Sequence, residues 1–311
     1  MIGAKSNWRI GLPLSIATAM FWGIMPLLLK GLLDQLDPMT LAWTRQIGCG
    51  VLMAAYFAWR RDIRWRALRS RTVLGLVAIC IVGMTMNALL FNIGLKHATP
   101  SATQVMGQLG PVLVLIGAVL IFKESFTRQQ WFGAVLSVSG LALFFHDHVH
   151  DLLQMSSYGF GMVMLLIAPL FWASYALSQK RLGGLLDSQQ VLMLSYAVGS
   201  VVLLPFSAVD KVALLDVVGW WLLAGVIAVY IFSYIALGTA MAHWEASRVS
   251  AMITVTPLFT LVFGHLLGWF FPGYLAVEVH DLLSWGGALL VVVGSFLAAM
   301  PRRRYTAESP A

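Results

Sequence analysis

The chain has 311 residues, of which 59% are hydrophobic and only 11% charged, and its net charge is +7. Soluble domains carry roughly 25% charged residues, so a water-soluble fold is excluded. The positive charge sits in short segments between apolar runs, which points to membrane orientation rather than to nucleic acid. The two cysteines, Cys49 and Cys80, lie inside apolar runs and give no disulfide framework.

A helix that crosses a bilayer needs roughly 17–25 mostly apolar residues. Ten such spans are predicted in chain order, at 11–33, 38–59, 73–95, 101–122, 129–146, 158–179, 188–207, 217–238, 247–271 and 282–300. The runs are too long for barrel strands and do not alternate. The first is not a signal peptide, because a copy of it recurs in mid-chain. Basic residues test the count. With the N-terminus inside, 16 of the 20 Lys and Arg fall in inside segments and 3 in outside ones, and Arg45 alone lies within a span. Both termini are therefore expected in the cytoplasm, and the protein in the cell (inner) membrane.

The chain repeats itself. Phe21-Trp22-Gly23 returns as Phe171-Trp172-Ala173, Lys30 as Lys180, and Leu36-Asp37 as Leu186-Asp187, all 150 residues on. His97 to Ser101 resembles His243 to Ser247, and Pro111 is matched by Pro257, at an offset of 146. Glu124, Trp131, Gly133 and Gly140 are matched by Glu278, Trp285, Gly287 and Gly294 at 154. The second half thus gains residues around Pro272-Gly273. Five spans per half is odd, so the halves enter the membrane from opposite sides. The expected fold is all-α and integral to the membrane: ten transmembrane helices as two inverted five-helix repeats. The first repeat is 1–145, the outer linker 146–157, the second repeat 158–300 and the cytoplasmic tail 301–311. Inverted repeats are an architecture of alternating-access carriers.

These residues resemble the EamA-type transporters of the drug/metabolite transporter superfamily. The matching pieces are Phe21-Trp22-Gly23, the stretch from Gly94 through Ala98 and Ser101 to Pro111, and Lys123-Glu124 with Trp131, Gly133 and Gly140. The resemblance covers about residues 12–300. It implies a central cavity lined mainly by spans 1, 3, 4, 6, 8 and 9, and export or exchange of amino acids, related metabolites or toxic compounds.

Within the spans, Gly107, Gly110 and Pro111 interrupt the fourth and Pro257 the ninth. A proline removes a donor and frees the carbonyl four residues earlier, here that of Gly107 and of Ile253. Paired broken spans point to a carrier's binding site, against a packing kink as the plainer reading. Gln104 and Gln108 share one face of span 4, as substrate ligands or as polar glue between helices. Asn87, deeper than Asn92, is the span-3 candidate. Arg45 is expected to capture an anionic group, or else to pair with Asp34 or Asp37 and snorkel outward. Trp22, Trp172, Tyr175, Tyr230 and Tyr234 are candidates for an aromatic wall or for ordinary packing. His265 is a candidate for substrate binding and, with Glu124, for proton coupling. The run from His146 to Asp151 reads as polar filler of the linker rather than as a metal site.

The function expected from the sequence is secondary active transport or exchange of a small polar metabolite, an amino acid or related compound, exported by alternating access. A membrane-embedded enzyme and a non-transporting receptor are the alternatives; no catalytic residue, cofactor or metal is assigned. Partners are the small-molecule substrate and membrane lipid, not nucleic acid, and a homodimer stays open.

Overall fold

The computed structural model describes residues 7–60, 65–123, 127–183, 185–244, 246–271 and 281–300. Glu124, Pro272, Gly273, Glu278 and the tail 301–311 lie outside these residues.

The described elements are all helical. In chain order they are α1 (Trp8–Leu32), α2 (Pro38–Arg60), α3 (Arg71–His97), α4 (Pro100–Gly107), α5 (Leu109–Phe122), α6 (Arg128–Phe144), α7 (Val149–Leu153), α8 (Ser157–Leu182), α9 (Ser188–Leu203), α10 (Val209–Ala213), α11 (Val217–His243), α12 (Ala246–Ile253), α13 (Thr256–Phe270) and α14 (Leu282–Ala299), with short 3-10 turns at Trp65–Arg69, His146–His148 and Leu204–Phe206. Helix starts follow capping chemistry. Thr99, Thr127, Ser156, Asp187, Asp216 and Asp281 each accept a backbone N–H at the start of the helix that follows. At Thr127 the side chain of Gln130 completes a capping box. The Ser284 N–H donates to Asp281 at 2.8 Å and holds its carboxyl below the usual carboxylate range.

Eight of the described helical segments are long and apolar enough to cross a membrane, with α4–α5 and α12–α13 each taken as one segment; counting the pair from Arg128 to Leu153, bent by 59°, makes nine. The sequence suggests ten. The tenth segment, α2, is buried along one face with polar side chains, Thr40, Thr44, Arg45 and Gln46, which lower its apolarity. α6 alone has 17 residues. The linker 146–157 is also more ordered than expected, since it holds a 3-10 turn and α7.

Packing is dominated by long antiparallel contacts: α3 along α8, α6 along α14, α1 along α11, and α2 along α9. Small residues let backbones approach, as apolar helices in lipid require. A Cβ on Gly133 would lie 2.6 Å from the Gly294 carbonyl oxygen, and one on Gly140 2.8 Å from that of Gly287. Ser137 and Ser295 share a hydrogen bond of 3.2 Å between these contacts. Helix lengths recur as well. α3 and α11 both have 27 residues and start 146 positions apart, and α4 and α12 both have 8 residues at the same offset.

One end of the bundle is sealed by an apolar cluster that includes the fully buried Leu29, Leu32 and Leu95. Beside it the Lys30 ammonium donates to the carbonyls of Leu95 at 2.7 Å, Lys96 at 3.0 Å and Ala98 at 2.8 Å, capping the C-terminus of α3.

The glycine contacts generate a stability prediction. Gly294→Ala should destabilise the protein by about 1–3 kcal/mol, the usual range for overpacking. Gly75→Ala, where a Cβ meets nothing within 4 Å, should leave stability unchanged or slightly raised. Thermal unfolding in detergent of the two variants side by side checks this; equal behaviour would refute the packing account.

Candidate functional site

Two of the interrupted segments break where a proline follows. α4 ends at Gly107 and α5 begins at Leu109, and α12 ends at Ile253 and α13 begins at Thr256. The breaks fall just before Pro111 and Pro257 rather than at them. Each proline thus stands in the first turn of the next helix, where its missing N–H is not needed. Three further prolines lie inside helices: Pro13, one turn from the exposed start of α1, Pro26 deeper in α1, and Pro169 in α8. Pro26 and Pro169 deprive the carbonyls of Trp22 and Leu165 of their helical donor. Trp22 and Leu165, together with Gly107 and Ile253 at the two breaks, all line one cavity of about 540 Å³.

The cavity has an aromatic and cationic wall. Arg45 on α2 is buried, donates from Nη1 to the Tyr230 hydroxyl at 2.7 Å, and sets its guanidinium carbon 4.7 Å from the Tyr230 ring centre. A cation over a ring face and a charge-assisted hydrogen bond thus fall on one residue. Tyr234 stacks on Tyr230 with centroids 6.4 Å apart, and Trp22 meets Tyr234 edge-on at 6.1 Å. The indole N–H of Trp22 donates to Ser233 Oγ at 3.1 Å, and Ser233 donates to the Tyr230 carbonyl at 2.8 Å. Two features of α3, α5 and α8 complete the wall. Asn87 lines it and donates to the Ala168 carbonyl at 2.9 Å. Trp172 packs so closely on Gly110 that a Cβ there would meet its ring at 2.8 Å.

The amide pair Gln104 and Gln108 also faces the cavity. Gln104 Nε2 stands 3.5 Å from the released Trp22 carbonyl. Gln108 occupies the break itself and is buried, and its Oε1 has no hydrogen-bond partner. Nor has Nε of Arg45. Beside them Gly107 faces open space, with nothing within 4 Å of a notional Cβ. Among the described lining residues none is acidic, and the cations are Arg45 and Lys180. The cavity reaches Lys180, Gln130, Met241 and Ala299, the end of the bundle opposite Lys30, where Lys180 and Met241 are exposed.

Several sequence candidates stand elsewhere. Tyr175 is buried in packing around Cys80 and Leu182, and its hydroxyl accepts from Gln179 Nε2 at 2.9 Å. His265 does not line the cavity; it bonds through Nδ1 to the Leu261 carbonyl at 2.8 Å and lies against the Trp285 ring. Pro257 does not touch the cavity, although Ile253, Thr254 and Thr256 around its break do. Glu124 lies outside the described residues. Arg45 does not pair with Asp34 or Asp37. The Asp37 carboxylate caps α2 through Thr40 and approaches Lys211 at 3.9 Å, whereas Arg45 turns inward to Tyr230.

Sequence reasoning missed Ser233, Lys180 and the roles of Pro26 and Pro169. A signal for Ser233 exists: Tyr230, Ser233, Tyr234, Leu237 and Met241 follow helical spacing on a single face of α11. For the prolines the signal is their position, each four residues past a cavity-lining residue.

Comparison with known proteins agrees with this architecture. The family model described as the EamA-like transporter family matches residues 9–146 and 159–300. A protein of Escherichia coli (strain K12) named an uncharacterized inner membrane transporter, YhbE, is 34% identical over 304 residues, covering 96% of this chain and 94% of its own. An uncharacterized transporter of Haemophilus influenzae is 30% identical over 305 residues, covering 95% and 96%. A protein of known crystal structure shares the fold with a TM-score of 0.62 at 15% identity, over 93% of this chain and 96% of its own.

Tyr230→Phe removes the acceptor of Arg45 and leaves a buried charge one hydrogen bond short. The variant should lose about 1.5–3 kcal/mol, the range for hydrogen bonds to charged groups, read as a lower midpoint in thermal unfolding in detergent. An unchanged midpoint would mean that water already serves Arg45 there.

Proposed function

The chain belongs to the EamA-like transporter family, and on that premise we propose that it is a secondary carrier that exports a small carboxylate-bearing metabolite, an amino acid or a related compound, by alternating access. The observation that carries this reading is a pair of unsatisfied groups in the cavity wall: the donor Nε of Arg45 and the acceptor Oε1 of Gln108. Arg45 is 4% exposed and Gln108 7%. A buried polar group without a partner costs about 1–3 kcal/mol, more when charged. Once a side-chain rotation turns these covered atoms toward the cavity, a ligand that brings an acceptor to one and a donor to the other relieves both. A carboxylate on Arg45 and an ammonium on Gln108 are that combination. With no acid among the described lining residues, a bare cation has no counter-charge. The stacked Tyr230 and Tyr234 and the Trp22 and Trp172 rings offer an apolar surface to the rest of the substrate.

Ten spans in two inverted halves fit the recurring helix lengths. They also fit reciprocal packing: α1 on α11 and α8 on α3 are the same contact with the halves exchanged, and so are Gly133 on Gly294 and Gly287 on Gly140. Under this reading the basic segments and both termini face the cytoplasm. The cavity then opens to the cytoplasm at Lys180 and is closed at Lys30, ready to load a substrate for export. The position of His265 away from the cavity gives no support to a proton path through it, so exchange or another coupling is preferred.

Counterflow in proteoliposomes with labelled amino acids and metabolites tests the reading. The expected result is flux of carboxylate-bearing solutes and none of bare amines. Arg45→Met should abolish that flux without lowering thermal stability, since replacing a buried charge by an apolar residue of similar size is often neutral or stabilising. Gly107→Trp should fold and block flux by filling the cavity. Full flux in Arg45→Met would remove the carboxylate assignment. No flux of any solute from folded wild-type protein would count against a carrier and for a receptor or enzyme.

A further inference from the structure

Lys30 and Lys180 stand 150 positions apart, at matching places on α1 and α8. Their surroundings differ. Lys30 reaches across to α3 and binds the carbonyls of Leu95, Lys96 and Ala98, the last turn of that helix and its cap. Lys180 stands at the open mouth of the cavity and holds its ammonium over the Phe122 ring at 5.0 Å. It is exposed.

The counterparts of the three carbonyls, 146 positions on, belong to Met241, Ala242 and Trp244. These form the last turn and cap of α11, and Met241 lines the same mouth as Lys180. The two helix ends have one geometry. The backbone N–H of Ala98 bonds Gly94 at 2.8 Å and that of Trp244 bonds Ala240 at 2.8 Å, and both cap residues are extended. Each helix end therefore presents the same group of terminal carbonyls, carrying the negative end of the helix dipole, to a lysine. The group on α3 holds Lys30; at the α11 end, Lys180 lies over the Phe122 ring.

We propose that Lys30 and Lys180 are alternating latches. In the conformation described, Lys30 ties α1 to the end of α3 and keeps that side of the cavity shut. In the opposite conformation Lys180 ties α8 to the end of α11 through the carbonyls of Met241, Ala242 and Trp244, and Lys30 lets go. The exchange follows from applying the two-fold relation of the halves to one observed contact, so it rests on the inverted-repeat reading above. Both latches cannot be engaged while the cavity is open to one side, and a ligand or mutation that favours one conformation must do so by its differential contacts with the two. No substrate contact is needed for either lysine; they position the helices that the substrate-binding residues stand on.

The test uses the full chain in proteoliposomes with Cys49 and Cys80 replaced by Ala. A single reporter cysteine is placed at Leu95 or at Met241, and its labelling by a membrane-impermeant maleimide is measured from each side. Leu95 is fully buried and Met241 is exposed. Lys30→Met should speed labelling of Leu95→Cys by about tenfold or more and slow that of Met241→Cys, the size expected when charge-assisted hydrogen bonds are lost from one state only. Lys180→Met should do the reverse, leaving Leu95→Cys protected and Met241→Cys fully accessible. Lys30→Arg should restore part of the wild-type pattern. If both variants shift labelling in the same direction, or neither shifts it, the latches do not exist. Lys180 is exposed at the mouth, so its variant keeps the test available should Lys30→Met fail to fold. Labelling needs no substrate. Opposed shifts without flux in counterflow would therefore uphold the latches and overturn the carrier, and flux without shifts would do the converse.

Discussion

In a bilayer every backbone polar group must find its partner inside the protein or in a water-filled cavity. The structure turns on where this rule is broken. Pro26 and Pro169 leave the carbonyls of Trp22 and Leu165 without their usual helical donor, and the breaks before Pro111 and Pro257 do the same at Gly107 and Ile253. Four such carbonyls scattered over a lipid-facing surface would be costly. They converge on one cavity instead, where Gln104 approaches one and Thr256 donates to another. The cavity is thus the place where broken backbone is tolerated, and the polar side chains that serve the freed carbonyls, Gln104 and Thr256, also line it.

Around this interrupted centre the remaining helices must supply rigidity, and they do so through close backbone contact. Gly133, Gly140, Gly287 and Gly294 bring α6 against α14 at distances no side chain permits. Gly83 on α3 meets the Phe171 carbonyl of α8 in the same way, at 2.7 Å for a notional Cβ. None of these five glycines is among the residues that line the cavity. The glycines at the cavity behave differently: Gly110 yields to the Trp172 ring, whereas Gly107 borders open space. Glycine thus serves two ends in one fold, tight packing in the frame and vacancy at the centre.

Much of this was legible in the chain. Helical segments begin within a few residues of the predicted ones, as in Arg71–His97 against 73–95 and Leu282–Ala299 against 282–300, because long apolar runs ended by caps allow few alternatives. Eight of the candidates Trp22, Arg45, Asn87, Gln104, Gln108, Trp172, Tyr230 and Tyr234 meet in one cavity because polar and aromatic groups on several spans share that one wet space. The failures have causes too. Tyr175 and Tyr230 look alike in sequence, and only the rotation of α8 decides that Tyr175 turns toward Cys80. His265 satisfies itself on its own helix, which no pattern of neighbours reveals. The partner of Arg45 was sought among carboxylates, yet a tyrosine from a helix distant in sequence holds it, since burial favours a partner that brings its own apolar body.

Arg45 shows what the architecture gives up for its site. A guanidinium this deeply buried is among the least favourable groups to hold in a membrane, and here one hydroxyl and one ring face answer it while its Nε stays unsatisfied. A carboxylate from the protein would balance the charge more fully, and Asp34 and Asp37 sit on the same stretch of chain, yet Asp37 is committed to capping α2. Full pairing would remove the reason for an anion to enter. Under the proposed function, a cation left partly answered is one that a carboxylate substrate would improve. The tyrosine contact is strong enough to fix the geometry of the guanidinium and too weak to cancel its charge. A carrier must bind without holding on, and under the proposed function a buried arginine met by tyrosines rather than by an acid would meet both demands with one residue.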